Sequence, residues 1–263
     1  MIQETDDYVD VEFRSGEIWH ECVLWCVERN YGGIENLSLI PGTIGAAPIQ
    51  NIGAYGVELK DVFISLEAIN LKTLESERFD KDSCAFGYRE SIFKQDLINK
   101  YFIVSVTLRL QKNPIPNIQY GNIKDELSQM GKLEGSTIQD VSEAVIRIRQ
   151  AKLPDPKNIG NAGSFFKNPV ITLGHYETLL LKYPEMPHYP SLGGVKIPAG
   201  WLIEKRGWKG FREKDFGVHK HQALVLVNYD DAKGSEIYNL SEQIIQSVAQ
   251  EFGINLQREV NIW

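Results

Sequence analysis

Cysteine is nearly absent from this chain: three residues in 263 are too few for a disulfide framework. Cys22 and Cys26 stand one helical turn apart, with no further Cys or His cluster near enough in sequence to complete a zinc site. No metal is expected, and both thiols read as small buried hydrophobes. Also missing is any apolar run of membrane-spanning length, and the opening "MIQETDDYVD" is acidic where a secretion signal is basic and then apolar. The expectation is a cytosolic (cytoplasmic) protein with no membrane partner. Nor does any run of Lys and Arg offset the formal charge of −7 and pI near 5.4, which repel a phosphate backbone and exclude general nucleic-acid binding. A few basic side chains in one cleft could still hold a single nucleotide. Internal repeats and low-complexity tracts are absent as well.

What remains is a chain with 43% hydrophobic residues, long enough for one large domain or two medium ones. "YVDVEF" alternates as a strand does, and Ile18 to Arg29 reads as a helix with Ile18, Cys22, Trp25 and Cys26 inward, stopped by Gly32 and Gly33. Asp61 to Leu71 and Tyr101 to Leu110 read as strands, the second with Val104, Val106, Leu108 and Leu110 on one side, and hairpin-like "INLKTLESERF" lies between them. Thr137 and Asp140 form a capping box for a helix that turns Ile138, Val141, Val145 and Ile148 inward. "KLPDPK" then breaks regular structure with two prolines and sets a domain boundary, giving domains 1–153 and 154–263. Beyond it come a helix from Pro198 to Arg206, left at Gly207, a buried strand "ALVLV", a long amphipathic helix carrying Ile237, Leu240, Ile244 and Val248, and a closing strand "INLQREVNIW". The fold class is α+β, with mixed sheets and helices to one side of each.

Two stretches exceed what folding needs, and a third is set apart by a lone hydroxyl. "IPGTIGAAPIQNIGAYG" packs Gly42, Gly45, Gly53 and Gly56 with small alanines; such a segment either closes a tight multi-turn loop or lets backbone amides approach a flat or anionic ligand. Its spacing fits neither the Rossmann nor the Walker pattern. In "GYRESIFK", Arg89 stands beside Tyr88 among apolar neighbours, either packed on a surface or drawn into a cleft to meet a carboxylate or phosphate. "GNAGSFFKNP", residues 160 to 169, reads locally as a glycine turn with Ser164 capping it and two phenylalanines plugging a core.

Together with "KLPDPK", "PAGWLIEKRGWKG" and "VHKHQALVLVN", these stretches, in this order and at these intervals, closely resemble UDP-N-acetylenolpyruvoylglucosamine reductase (MurB), in the subtype with a substrate-covering tyrosine loop, here "IQYGNI". The resemblance implies a partial FAD-binding domain of the vanillyl-alcohol-oxidase/PCMH type followed by a MurB C-terminal substrate-binding domain. It implies FAD and NADPH as cofactors, with hydride passing from NADPH through the flavin to the enolpyruvyl ether of a nucleotide sugar, in an enzyme of peptidoglycan precursor synthesis; a complete chain is expected to be a monomer. Hydride addition leaves negative charge on an enolate and demands a proton at the adjacent carbon.

By the same resemblance Ser164 supplies that proton, its hydroxyl bared by the glycines and kept from bulk water by the phenylalanines, while Arg89 and Glu259 hold the carboxylate and stabilise the enolic charge. Pro41, Gly42, Gly45, Ala46, Ala47, Gln50, Asn51, Gly53, Ala54 and Gly56 face the flavin. Tyr120 covers the diphosphate, Lys152 and Asn168 contact the nucleotide sugar, and Tyr88 lines the pocket. His219 and His221 receive no chemistry. Full-length members begin with a subdomain whose Gly-Ser-Asn loop grips the FAD pyrophosphate, and nothing like it precedes "YVDVEFRSGEIWH". The chain is therefore expected to lack that subdomain and, ending at Trp263, the tail that packs on it; a natural shortening, a misassigned start and an incomplete gene each give this sequence. Without the loop's charge-assisted hydrogen bonds, each worth about 1.5 to 3 kcal/mol, weaker FAD binding is expected. Two alternatives stand beside the reductase: a non-catalytic remnant that binds UDP-sugar without flavin, and another flavin oxidoreductase of the same broad fold.

Overall fold

In the computed structural model, which describes residues 2–262, contacts divide the chain into two units, residues 1–149 and 150–263. Met1 and Trp263, the outermost residues of the acidic opening and of the expected closing strand, lie outside the described residues.

The first unit runs β1 (Gln3–Glu4), β2 (Tyr8–Arg14), α1 (Trp19–Glu28), the two-residue strands β3 (Gly53–Ala54) and β4 (Val57–Glu58), β5 (Phe63–Asn70), β6 (Ser76–Asp80), β7 (Tyr101–Gln111), α2 (Ile123–Gln129) and α3 (Ile138–Lys152), whose last turn holds the division. Its sheet has the order β1-β2-β7-β5-β6, with β7 at the centre against β2 and β5. One apolar face packs under α1, which buries Trp19, Cys22, Val23, Cys26 and Val27, an i, i+3, i+4, i+7, i+8 stripe. The Trp19 indole N–H donates to the Leu37 carbonyl at 3.0 Å, so the ring enters the core with its polar edge satisfied. Two expected inward residues differ. Ile18 is the extended residue preceding the first turn and is 49% exposed, and Trp25 lies half-buried beside Phe13 and Tyr31. In β7 a register shift pairs Glu67 with Ser105 and then Ala68 with Ile103, leaving Val104 as the extra residue. This bulge reverses the inward phase, so Ile103 is buried and Val104 only half so.

Cys22, Cys26 and Cys84 are free and buried, and burial above all pushes Cys22 and Cys84 up to about 12 and Cys26 higher still. In α3 the capping box forms, with the Thr137 amide donating to the Asp140 carboxylate at 2.9 Å and the Asp140 amide to the Thr137 hydroxyl at 3.2 Å. Its Val141, Ala144, Val145 and Ile148 close a small core with Ile123 and Leu127 of α2.

The second unit runs β8 (Gly160–Ser164), β9 (Val170–Ile171), α4 (Leu173–Lys182), β10 (Tyr189–Ser191), β11 (Gly194–Lys196), α5 (Ala199–Lys205), β12 (Arg212–Glu213), β13 (Phe216–Val218), β14 (Val225–Asn228) and α6 (Gly234–Phe252). One sheet has the order β12-β13-β14-β8 and another β10-β11-β9. Leu240, Ile244, Val248 and Phe252 of α6 bury against them, with Ile237 at the margin, and Gly253 ends the helix in the left-handed region at φ 65°. Glu251 accepts hydrogen bonds from Lys182 at 2.5 Å, from the Tyr183 hydroxyl at 2.5 Å and from Arg206 at 3.1 Å, tying α4 and the end of α5 to α6.

Two expectations about strands are corrected. The paired strands of both units are antiparallel rather than mixed, as the short returns between β5 and β6, β10 and β11, and β12 through β14 require. Among its described residues "INLQREVNIW" makes a single bridge, Arg258 with Phe166, rather than a strand, and the Arg258 side chain donates to Ser241 at 2.8 Å and Glu242 at 2.5 Å of α6.

Candidate functional site

In the first unit the expected site residues gather around the turn from Gly53 to Gly56. The segment before it is a 3-10 turn over Ile44–Ala46 followed by the β3–β4 pairing, which suits its glycine and alanine content. Much of its polar backbone is spent internally: the Gly45 amide donates to Ser15 O at 3.0 Å, Ala46 to Thr43 O at 3.1 Å and Ala47 to Ile44 O at 3.2 Å. Gly45 is required by packing, since a Cβ there would lie 2.6 Å from the Ser15 Cβ. Gly42, by contrast, has φ 111° and open space where a side chain would stand, and Pro41 and Ala46 are exposed. Gln50, Gly53 and Ala54 are half-buried and Gly56 is exposed, whereas Ala47 lies in the core and Asn51 is wholly buried.

Asn51 uses its whole side-chain amide. It donates to Gly87 O at 3.0 Å and to the Glu58 carboxylate at 3.2 Å, and accepts from the Lys60 amide at 3.0 Å. Gly87 begins the turn that carries Arg89: Gly87 N donates to Glu90 O at 2.9 Å and Glu90 N to Gly87 O at 3.3 Å, with Tyr88 and Arg89 at the corners. Arg89 adopts φ 53°, a left-handed conformation costing roughly 1–3 kcal/mol for a residue with a long side chain. Its guanidinium donates to the Gly53 carbonyl and stands 5.3 Å from the Tyr88 ring centroid. Ser91, also fully buried, donates to Ile49 O at 2.6 Å. Tyr120 reaches the same turn from the other side, for a Cβ at Gly56 would lie 3.2 Å from its Cβ and 3.5 Å from its ring. Asn36 holds that approach by donating to Tyr55 O at 3.1 Å and Asn117 O at 2.9 Å.

Sequence reasoning missed Arg149. It is half-buried next to Tyr55, donates to Leu39 O at 3.2 Å and has no carboxylate partner among the described residues. Burial holds its pKa below the usual guanidinium range, and burial together with the Arg149 charge holds His20 below the usual imidazole range. A cation kept in such surroundings favours an arriving negative charge. The signal was faint: an Arg on the last turn of an amphipathic helix looks like any solvated residue.

In the second unit Ser164 ends β8. The segment is a strand rather than the turn its composition suggests, because β14 supplies a partner: Ser164 pairs with Val225 and Phe165 N donates to Leu224 O at 2.8 Å. Gly163 at φ 74° breaks the strand's alternation just before it. Ser164 is exposed, while Phe165 and Phe166 are buried in the core and anchor the strand from behind. Glu259 is brought alongside by its own backbone, with its amide donating to Phe165 O at 2.9 Å and the Lys167 amide to Gln257 O at 2.8 Å. Asn168 accepts from Ala199 N at 2.8 Å, holding the start of α5, and Lys152 is exposed at the end of α3. Thus Ser164 and Glu259 lie on neighbouring, backbone-bonded stretches of one unit, and Arg89, Tyr88 and Tyr120 gather within the other.

Residues 155–263 match the family model described as UDP-N-acetylenolpyruvoylglucosamine reductase, C-terminal domain, and residues 1–73 match an FAD binding domain. A protein of Flavobacterium johnsoniae named UDP-N-acetylenolpyruvoylglucosamine reductase is 52% identical over 264 residues, covering 100% of this chain and 78% of the relative. A protein of the same name from Pseudomonas aeruginosa is 47% identical, covering 100% of this chain and 77% of its own length. Among solved structures, the crystal structure of UDP-N-acetylenolpyruvylglucosamine reductase (MurB) from Thermus caldophilus matches with a TM-score of 0.64 at 22% identity, over 96% of this chain and 72% of that one, a likeness of fold. No helix among the described residues is long and apolar enough to cross a membrane.

Proposed function

Because the chain belongs to the UDP-N-acetylenolpyruvoylglucosamine reductase family, we propose that it reduces UDP-N-acetylenolpyruvoylglucosamine to UDP-N-acetylmuramate, using NADPH and FAD, in peptidoglycan precursor synthesis. Residues 1–153 form the flavin-binding part and residues 154–263 the substrate-binding part. The first unit suits FAD: Gly42 leaves open space for a flat group, and Arg149 is a half-buried cation with no carboxylate partner among the described residues. When bound, FAD would supply the hydride, taken from NADPH, that adds to the carbon–carbon double bond of the substrate.

The protein's own residues do the rest. Arg89, fixed to the Gly53 carbonyl, takes the substrate carboxylate and offsets the negative charge that builds on it during reduction. Ser164 gives its hydroxyl proton to the carbon next to the carboxylate, a transfer a weak acid can make only toward a strongly basic centre. Glu259 acts with Arg89 to hold the carboxylate and stabilise the enolic charge. Tyr120 covers the diphosphate, and Lys152, Asn168 and Tyr88 contact the nucleotide sugar. The observation that carries this reading is the 2.9 Å bond from the Glu259 amide to Phe165 O, which ties the backbone of Glu259 to the residue that follows the exposed serine. The chain acts as a cytoplasmic monomer on a small nucleotide sugar; its charge of −7 disfavours nucleic acid, and every assigned site residue comes from one chain. The flavin-free remnant is not favoured, since relatives at about half identity are named as the reductase.

Stopped-flow absorbance of the holoprotein tests the assignment. Ser164→Ala is expected to leave flavin reduction by NADPH intact and nearly to abolish reoxidation by the enolpyruvyl substrate. Normal reoxidation rejects Ser164 as the acid, and wild-type protein that binds UDP-sugar but never holds flavin supports the remnant instead.

A further inference from the structure

We propose that Asn51, supported by Ser91, is a positioning residue that aims Arg89, rather than a contact for the cofactor; this rests on the reductase reading above. Three observations carry it. The Asn51 side chain is 0% exposed and its two donors and its acceptor are all engaged, so its amide has nothing left to offer a ligand. One of those donors ends on Gly87 O, whose residue opens and closes the two-bond turn bearing Arg89. Arg89 itself is held at φ 53°, a conformation that persists only where its surroundings over-determine it.

The segment from Ile49 to Gly53 therefore grips the Arg89 turn at three points: Asn51 on Gly87 before the arginine, Ser91 on Ile49 after it, and the guanidinium on Gly53 itself. The two backbone bonds fix where the turn sits, and the third fixes where the side chain ends. Asparagine suits position 51 because its own φ of 43° is one that a short polar residue tolerates. A serine or leucine there would lose either the reach or the backbone.

Asn51→Gly keeps the left-handed backbone and removes only the side chain. In the holoprotein, flavin content and the rate of flavin reduction by NADPH are expected within about two-fold of wild type, while reoxidation by the enolpyruvyl substrate and equilibrium binding of UDP-N-acetylmuramate, whose carboxylate meets Arg89, each weaken about ten-fold. In an Arg89→Ala background the same change is expected to add nothing, because a residue acting through Arg89 has nothing left to position. Loss of flavin, slower reduction by NADPH, or losses that multiply with Arg89→Ala overturn the proposal. Should Asn51→Gly not fold, Ser91→Ala is read in the same assays, with a loss of about three-fold in reoxidation alone expected, and wild-type behaviour overturning the proposal. Wild-type holoprotein that the substrate never reoxidises overturns the reductase reading instead, whatever the variants do.

Discussion

Gly53 is where the smallest addition to this protein should have the largest chemical effect. An alanine methyl there would lie 2.8 Å from Arg89 Nη1, 3.0 Å from the Glu58 Cγ and 3.0 Å from Val57 O, all nearer than the 3.4–4 Å of ordinary contact. Gly53 does not have a positive φ, so the change brings no backbone strain and acts by crowding alone. Val57 O belongs to the facing strand of the β3–β4 pair and yields only if that pair opens, whereas the guanidinium is the end of a flexible side chain. Arg89 therefore moves, and its hydrogen bond to Gly53 O is lost. A charge-assisted bond of this kind is worth about 1.5–3 kcal/mol, and at 1.36 kcal/mol per decade that predicts reoxidation by substrate slower by roughly ten- to 150-fold. Crowding itself costs about 1–3 kcal/mol of fold stability. Single-turnover flavin absorbance measures the first effect and urea denaturation the second. Gly16→Ala, where nothing lies within 4 Å of the added carbon, serves as the control. Reoxidation within two-fold of wild type in Gly53→Ala refutes the placement of Arg89 against this glycine.

Two further outcomes concern the second unit. Ile244→Ala, at a fully buried position on α6, is expected to lower unfolding stability by about 2–5 kcal/mol in urea titration, and a loss under about 1 kcal/mol argues against that helix face as the core. Glu251 has its pKa lowered, first by the Lys182 hydrogen bond and then by Tyr183, so the stabilisation it gives is complete above the ordinary value of 4.5 and fades as pH falls through the depressed folded value. Glu251→Gln should therefore flatten the acid side of the melting-temperature profile below pH 4.5 while changing little in its shape above it; an unchanged acid slope rejects the carboxylate as the link between α4 and α6.

Elements that carry their own instructions were legible in the chain. The helix from Ile138 announces itself through Thr137 and Asp140, and α6 through the spacing of Leu240, Ile244 and Val248. Where a partner decides, local reading fell short. "GNAGS" has the composition of a turn and becomes a strand because β14 lies beside it, and "INLQREVNIW" alternates like a strand yet pairs only through the bridge of Arg258 with Phe166 among its described residues. Val104 was misplaced because a single extra residue in β7 reverses which side faces inward. The site divides in the same way. Composition could not tell whether Arg89 sat on a surface or in a cleft, since the answer depends on Asn51 and Gly53, far along the chain. Asn51 itself sits in a glycine-rich stretch that suggests ligand contact, and only its complete burial shows that its amide is turned inward.

The bond between the Glu259 amide and Phe165 O stitches together two stretches separated by most of the second unit. A growing chain can have made Ser164, β14 and all of α6 and still lack the stretch that bonds to Phe165. A chain stopped short of residue 259 is therefore without this tie, however much of α6 it contains.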